Sequence, residues 1–209
     1  MRTYKFCDGE YEVRNEIKRS VFITTIKGEL DREEAELFVK SVKKKYADAT
    51  HNCYAYIGDE LGNITRFSDD GEPSGTAGQP ILDVLRKQNL VKTAIVVTRY
   101  FGGIKLGAGG LVGAYSSGAS DAVNACKISC KVECAHLSFE CDYPDFSVID
   151  KHLRKSECAV ENVAYGDRVS LDVFVPTDGE EGLCKQLCEL SSGRVKIVNL
   201  NDNQYKSIR

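Results

Sequence analysis

No window of this 209-residue chain approaches the roughly 20 uninterrupted apolar residues of a membrane helix, because Lys, Arg or Gly breaks every candidate run within a few positions. Membrane spanning is excluded on that ground. The opening Met1-Arg-Thr-Tyr-Lys5 carries no apolar signal run, which predicts a cytoplasmic protein with reduced thiols. Nine cysteines are too few, in a chain of this length, for a disulfide scaffold. No Gly-Lys-Ser/Thr closes a glycine loop, so Walker-type ATP hydrolysis is excluded, and no carboxylates follow the alternating spacing of an EF-hand. Histidine is scarce: His51, His136 and His152 are the three, which leaves little material for a Cys/His enzyme or a zinc set. A surplus of positive charge is missing too. With a net charge of -3, any nucleic-acid role depends on a local patch, since counterion release needs many phosphate contacts.

Such a patch is present. From Val84 to Ser120 there are five basic side chains, Arg86, Lys87, Lys92, Arg99 and Lys105, and no acidic one. Inside it the apolar run Ala94-Ile-Val-Val-Thr98 empties into Arg99-Tyr-Phe-Gly-Gly-Ile-Lys-Leu-Gly-Ala-Gly-Gly110 and then into a helix-like segment. Strand, glycine loop, helix is the order in which backbone N–H groups face an anion.

Periodicity outlines two domains, over 1–135 and 136–209, in an α+β chain. Ser20–Ile26 is strand-like, and Asp31 with Glu34 marks a capping box for a helix that carries Ala35, Phe38, Val39, Val42 and Tyr46 on one face. His51–Ile57 and Ile64–Phe67 follow as strands, Thr76–Gln88 as a helix, and Ala94–Thr98 as a strand buried on both faces. Leu111, Val112, Tyr115, Ala119, Ala122 and Val123 mark a third helix. After His136 the pattern becomes strand, helix, strand, strand, helix, strand, the ferredoxin-like βαββαβ unit, with a frayed tail over Asn201–Arg209.

Phe67-Ser-Asp-Asp-Gly-Glu-Pro-Ser-Gly-Thr-Ala-Gly-Gln-Pro80 and Val97-Thr-Arg-Tyr-Phe-Gly-Gly-Ile-Lys-Leu-Gly-Ala-Gly-Gly-Leu-Val112 resemble the bacterial YigZ-type branch of the IMPACT family. Glu16-Ile-Lys-Arg-Ser20 and Ala49-Thr-His-Asn-Cys-Tyr-Ala55 support the resemblance. It implies an N-terminal ribosomal-protein domain-2-like βαβ fold, as in domain IV of elongation factor G, followed by a ferredoxin-like domain comparable with domain V. It also implies translation-linked regulation, with RNA or the ribosome, or a protein of translation control, as partner.

The candidate anion- or RNA-binding residues are Arg99, Tyr100, Gly102, Gly103, Lys105, Gly107, Gly109 and Gly110, against the alternative that the glycines serve only tight packing. Arg99 or Tyr100 is expected to be the reachable member of the strand end, with Phe101 packed. Asp69, Asp70 and Glu72 form an acidic loop that holds Mg²⁺ if the chain is a metal-dependent hydrolase of phosphoester or peptide bonds, and is otherwise solvated turn chemistry. Ser74 and Thr76 are placed to cap the next helix. His51 is a neighbour of the same cleft. Cys126, Cys130 and Cys134 read as small hydrophobes rather than zinc ligands. No cofactor motif is present and no catalytic residue is assigned. An RNA- or ribosome-binding regulator ranks ahead of a protein-interaction regulator without nucleic acid, and both ahead of the hydrolase.

Overall fold

A computed structural model describes residues 2–200 and 202–208, and they form five helices and two sheets in a mixed α+β arrangement. The chain divides into two compact units, Tyr4–Ser129 and the described residues from Cys130 onward together with those before Tyr4.

The first unit runs β1 (Thr3–Cys7), β2 (Glu10–Ile17), β3 (Ser20–Gly28), α1 (Arg32–Lys45), β4 (His51–Ile57), β5 (Thr65–Ser68), α2 (Gly78–Lys87), β6 (Thr93–Tyr100), α3 (Ala108–Ala125). Five strands make an antiparallel sheet ordered β2-β3-β6-β4-β5. Its central strand β6 is buried from Thr93 to Arg99, which is why its sequence is continuously apolar instead of alternating. Ile95 and Val97 face α2 and α3, and Ala94 and Val96 face α1 with Phe38, Val39 and Val42. The capping box closes as its spacing predicts: Asp31 Oδ1 accepts from Glu34 N at 2.8 Å and Glu34 Oε2 from Asp31 N at 2.9 Å. Gly118 lets α3 lie close on the sheet, since a Cβ there would stand 2.9 Å from Thr24 Oγ1.

The second unit holds most of β7 (Ile128–Cys141), then α4 (Tyr143–Leu153), β8 (Ala159–Tyr165), β9 (Val169–Pro176), α5 (Glu180–Leu190), β10 (Lys196–Asn199) and β11 (Gln204–Lys206). β7 pairs antiparallel with β9 and β10, and β9 with β8, giving the order β10-β7-β9-β8. Leu137, Phe139, Leu171 and Val173 pack on Ile149, Leu153, Leu183 and Leu187.

Four segments depart from the sequence expectation, the first being the unpredicted strand β1 (Thr3–Cys7). β2 is an additional strand whose half-buried alternation is the signature of a sheet with one wet face. β7 begins at Ile128 and not near Leu137, so Cys130 and Cys134 lie on it while Cys126 caps the end of α3. The tail is not frayed over its described part: β11 pairs with β7, and the Lys206 ammonium sits 3.9 Å from the centre of the Phe174 ring. Asn201 and Arg209 lie outside the described residues.

Candidate functional site

The loop between β5 and α2 and the loop between β6 and α3 meet at one cleft of about 450 Å³, lined by Thr50, His51, Glu72, Pro73, Arg99, Phe101 and Lys105 and by Leu106 to Ala108 with Leu111. The basic and acidic candidate segments are thus brought together. Their side chains are not deployed as charge counting along the chain predicts.

Arg99 is 5% exposed, which corrects the expectation that it is reachable. Its Nη1 donates to Glu72 Oε1 at 2.6 Å, and its guanidinium lies 5.5 Å from the centres of both the Phe22 and Phe101 rings. Nη2 reaches Ser20 Oγ at 3.4 Å. A buried guanidinium needs a carboxylate, because an uncompensated charge in a low-dielectric interior costs several kcal/mol, on the order of 3–5 when one partner is removed. Arg99 is therefore a strut. Phe101, expected to be packed, is 47% exposed, and Tyr100 spends its hydroxyl on Asp48 Oδ1 at 2.8 Å.

The carboxylates diverge to separate internal tasks. Asp69 accepts from the amides of Gly75, Ala77 and Gly78 at 2.9, 3.0 and 2.8 Å. It supplies the capping bonds at the start of α2 that were expected of Ser74 and Thr76; Thr76 Oγ1 instead donates to Pro73 O at 2.6 Å, and Ser74 is exposed. Asp70, at φ 45°, accepts from Lys43 Nζ at 2.6 Å and from Asn52 N at 2.7 Å. Glu72 accepts from Tyr115 OH at 2.7 Å as well as from Arg99. Among the described residues no group of three or more His, Cys, Asp or Glu is placed to hold a metal ion, so the acidic loop does not build the metal set that a hydrolase reading requires.

The glycines split likewise. Gly102 N donates to Ser20 Oγ at 3.2 Å, and a Cβ there would lie 2.0 Å from the Arg19 carbonyl, so Gly102 answers to close packing. Gly103 and Gly107 hold φ at 82° and 75°. Beyond them α3 opens at the cleft: its N-cap is Gly107, with no side chain to cap, its first turn carries no carboxylate, and the first amide to find a partner is Leu111 N, bonded to Gly107 O at 2.9 Å. The amides of Ala108, Gly109 and Gly110 are left pointing outward at the positive end of the helix dipole. Lys105, exposed on the same rim, adds a full charge.

Tyr115, Lys43 and Ser20 are the network members that sequence reasoning missed. Burial pushes the Tyr115 phenol far above its usual pKa, with Cys53 and Glu72 adding to the shift. Cys53, on β4 two residues from His51, donates to Asp69 O at 2.9 Å and is pushed up to about 12 by burial, so it is an inert thiol rather than a nucleophile.

Residues 18–123, the span holding this whole network, match the family model of the Impact N-terminal domain. The chain belongs to the IMPACT family. Residues 139–194 match a domain of unknown function, DUF1949. Among relatives, the IMPACT family member YvyE of Bacillus subtilis (strain 168) is 38% identical over 189 residues, covering 90% of this chain and 86% of that protein. IMPACT family member YigZ of Escherichia coli (strain K12) is 34% identical over 192 residues, 91% of this chain and 94% of that one. A solved crystal structure of a hypothetical protein matches with a TM-score of 0.63 and 31% identity, over 97% of this chain and 99% of the other. No helix among the described residues of this IMPACT family member is long and apolar enough to cross a membrane.

Proposed function

We propose that this IMPACT family member is an RNA- or ribosome-binding regulator of translation that engages phosphate at the start of α3. The observation that carries the reading is the open helix end: three amide donors and Lys105 without partners among the described residues, on a cleft whose one arginine is already neutralised. The contact group is thus Lys105 with the amides of Ala108, Gly109 and Gly110, and Gly107 and Gly103 shape the loop that presents them. The order β10-β7-β9-β8 supports a ferredoxin-like second domain, and an elongation-factor-G domain IV-like first domain is proposed with it.

Gly109→Glu is the direct test. A Cβ at Gly109 meets nothing within 4 Å, and a carboxylate in the first turn suits the helix dipole, so the fold is retained while phosphate is repelled. Filter binding of ribosomal subunits and structured RNA across a salt series should show the salt slope falling by about 1 in Lys105→Ala and binding collapsing in Gly109→Glu. Unchanged binding in both variants would refute the reading.

A protein partner without nucleic acid has one observation in its favour: Phe101, Ile104 and Val112 are 47%, 39% and 38% exposed around the same loop. A pull-down that survives nuclease and high salt would select it.

A further inference from the structure

The floor of the cleft presents two hydrogen-bond acceptors that take no bond from the described residues. His51 Nδ1 lies 2.9 Å from the carbonyl oxygen of Asp70, which can only accept, so the proton of the neutral ring sits on Nδ1 and Nε2 is left as a bare acceptor. Beside it stands Glu72, whose side chain is 4% exposed. Its Oε1 takes the Arg99 and Tyr115 bonds, and its Oε2 takes none from the described residues. His51 Nε2 is 3.9 Å from Oε1, too far to be a hydrogen bond, and both residues line the cleft. Arg99 is turned mainly to the protein: Nη1 donates to Glu72, Nη2 reaches Ser20, and its Nε is sealed within the protein.

Two acceptors that face the cleft without a protein donor select for a ligand that brings donors of its own. The walls are apolar and partly planar, with the half-exposed ring of Phe101 together with Pro73, Leu106 and Leu111. At the rim are Lys105 and the α3 amides. The volume is in the range of small-molecule sites. The occupant that answers all three features is a flat group with stackable faces, a pair of adjacent N–H donors on one edge, and an attached anion. Among nucleobases only guanine carries two adjacent donors, N1–H and N2–H, on its Watson–Crick edge; adenine and cytosine alternate donor with acceptor, and uracil sets one donor between two acceptors.

We infer that this cleft takes one guanine nucleotide, free or unstacked from an RNA strand, with the base edge on His51 Nε2 and Glu72 Oε2, its face on Phe101, and its phosphate at Lys105 and the start of α3. The phosphate seat rests on the reading above; the base specificity does not follow from it.

The test changes the ligand before the protein, since Glu72 variants risk the fold. The full chain is titrated with GMP, IMP, AMP and UMP, and with tetranucleotides that differ only in one G, I, A or U, and amide NMR shifts follow binding. GMP should saturate and move the amides of Ala108 to Gly110, while IMP, which lacks the N2 amino group, should bind about tenfold weaker. AMP and UMP should not saturate in the same range. Phe101→Ala, an exposed ring, should weaken GMP about tenfold by loss of stacking. A tetranucleotide with G that binds more tightly than GMP identifies RNA as the source, and the reverse identifies a free nucleotide. Equal affinity for GMP and IMP, or no saturable binding of any guanine ligand, overturns the inference. RNA binding that depends on Lys105 but not on guanine would sink this inference and leave the RNA-binding proposal standing; guanine selectivity without binding to ribosomal RNA would do the opposite.

Discussion

Glu72→Gln is the most informative single substitution for the fold, because it removes one buried charge at nearly constant volume, turning one carboxylate oxygen into an amide NH2. The glutamine keeps the size of the side chain and keeps an oxygen for the Tyr115 hydroxyl. What it removes is the counter-charge of Arg99, which remains between the Phe22 and Phe101 rings at 5% exposure. A buried pair broken on one side costs about 3–5 kcal/mol, most of it the desolvation of the orphaned ion. For a unit of this size that corresponds to roughly 10–15 °C in Tm, at about 3 °C per kcal/mol. Because the chain has two units, a global melt averages them. Native-state hydrogen exchange at the amides of Ile95, Val96 and Val97 in β6 reads the relevant unit alone. The double variant Glu72→Gln/Arg99→Met should recover much of the loss, since replacing both charges removes the orphaned ion. By contrast Lys43→Ala, which breaks a partly exposed pair with Asp70, should cost no more than about 1 kcal/mol. A Glu72→Gln protein within 1 kcal/mol of the parent would mean that the guanidinium is solvated by another route, and the strut assignment would be wrong.

Three further outcomes follow from the same geometry. Burial raises the Asp69 carboxyl, yet bonds from Gly75, Gly78 and Ala77 outweigh it and hold its pKa below the ordinary value. Its contribution is therefore present above the unfolded carboxylate pKa and lost as pH falls through the lowered folded value, and Asp69→Asn should flatten that acid limb in urea titrations and cost about 1–2 kcal/mol at neutral pH. On α3, Gly113→Ala enters open space and should stabilise by about 0.5–1 kcal/mol, whereas Gly118→Ala meets Thr24 Oγ1 and should destabilise by about 1–3 kcal/mol, both read by hydrogen exchange. A thiol reagent at pH 8 should modify Cys130 and Cys188, which are exposed, well before the fully buried Cys7 and Cys53; early labelling of Cys53 in mapped peptides would contradict its burial.

Local signals in the sequence were legible where one element decides the outcome. Asp31 and Glu34 define their helix start within four residues, and the unbroken Ala94–Val97 run can only be a strand covered on both sides. β2 went unread: Glu10, Glu12, Arg14 and Glu16 alternate with Tyr11, Val13, Asn15 and Ile17, but its charged half masks the period. The site is different because its decisive contacts are remote: Arg99 meets Glu72 across 27 positions and Ser20 across 79, and Tyr115 reaches Glu72 across 43. An acid-free stretch of chain marks where cations cluster and says nothing of the neighbouring loop that neutralises them. Tyr115 carried no signal of its own, because at helical spacing among Leu111, Ala119 and Ala122 it reads as core, which its ring is and its hydroxyl is not. The proposed site accordingly moves from the conspicuous arginine to the α3 amides, Lys105, and the acceptors of His51 and Glu72. An unspent polar group in a concave site is the more discriminating sign of a ligand, since evolution can satisfy a buried donor or acceptor internally, as it did for Arg99 and Asp69, wherever nothing else is meant to bind there.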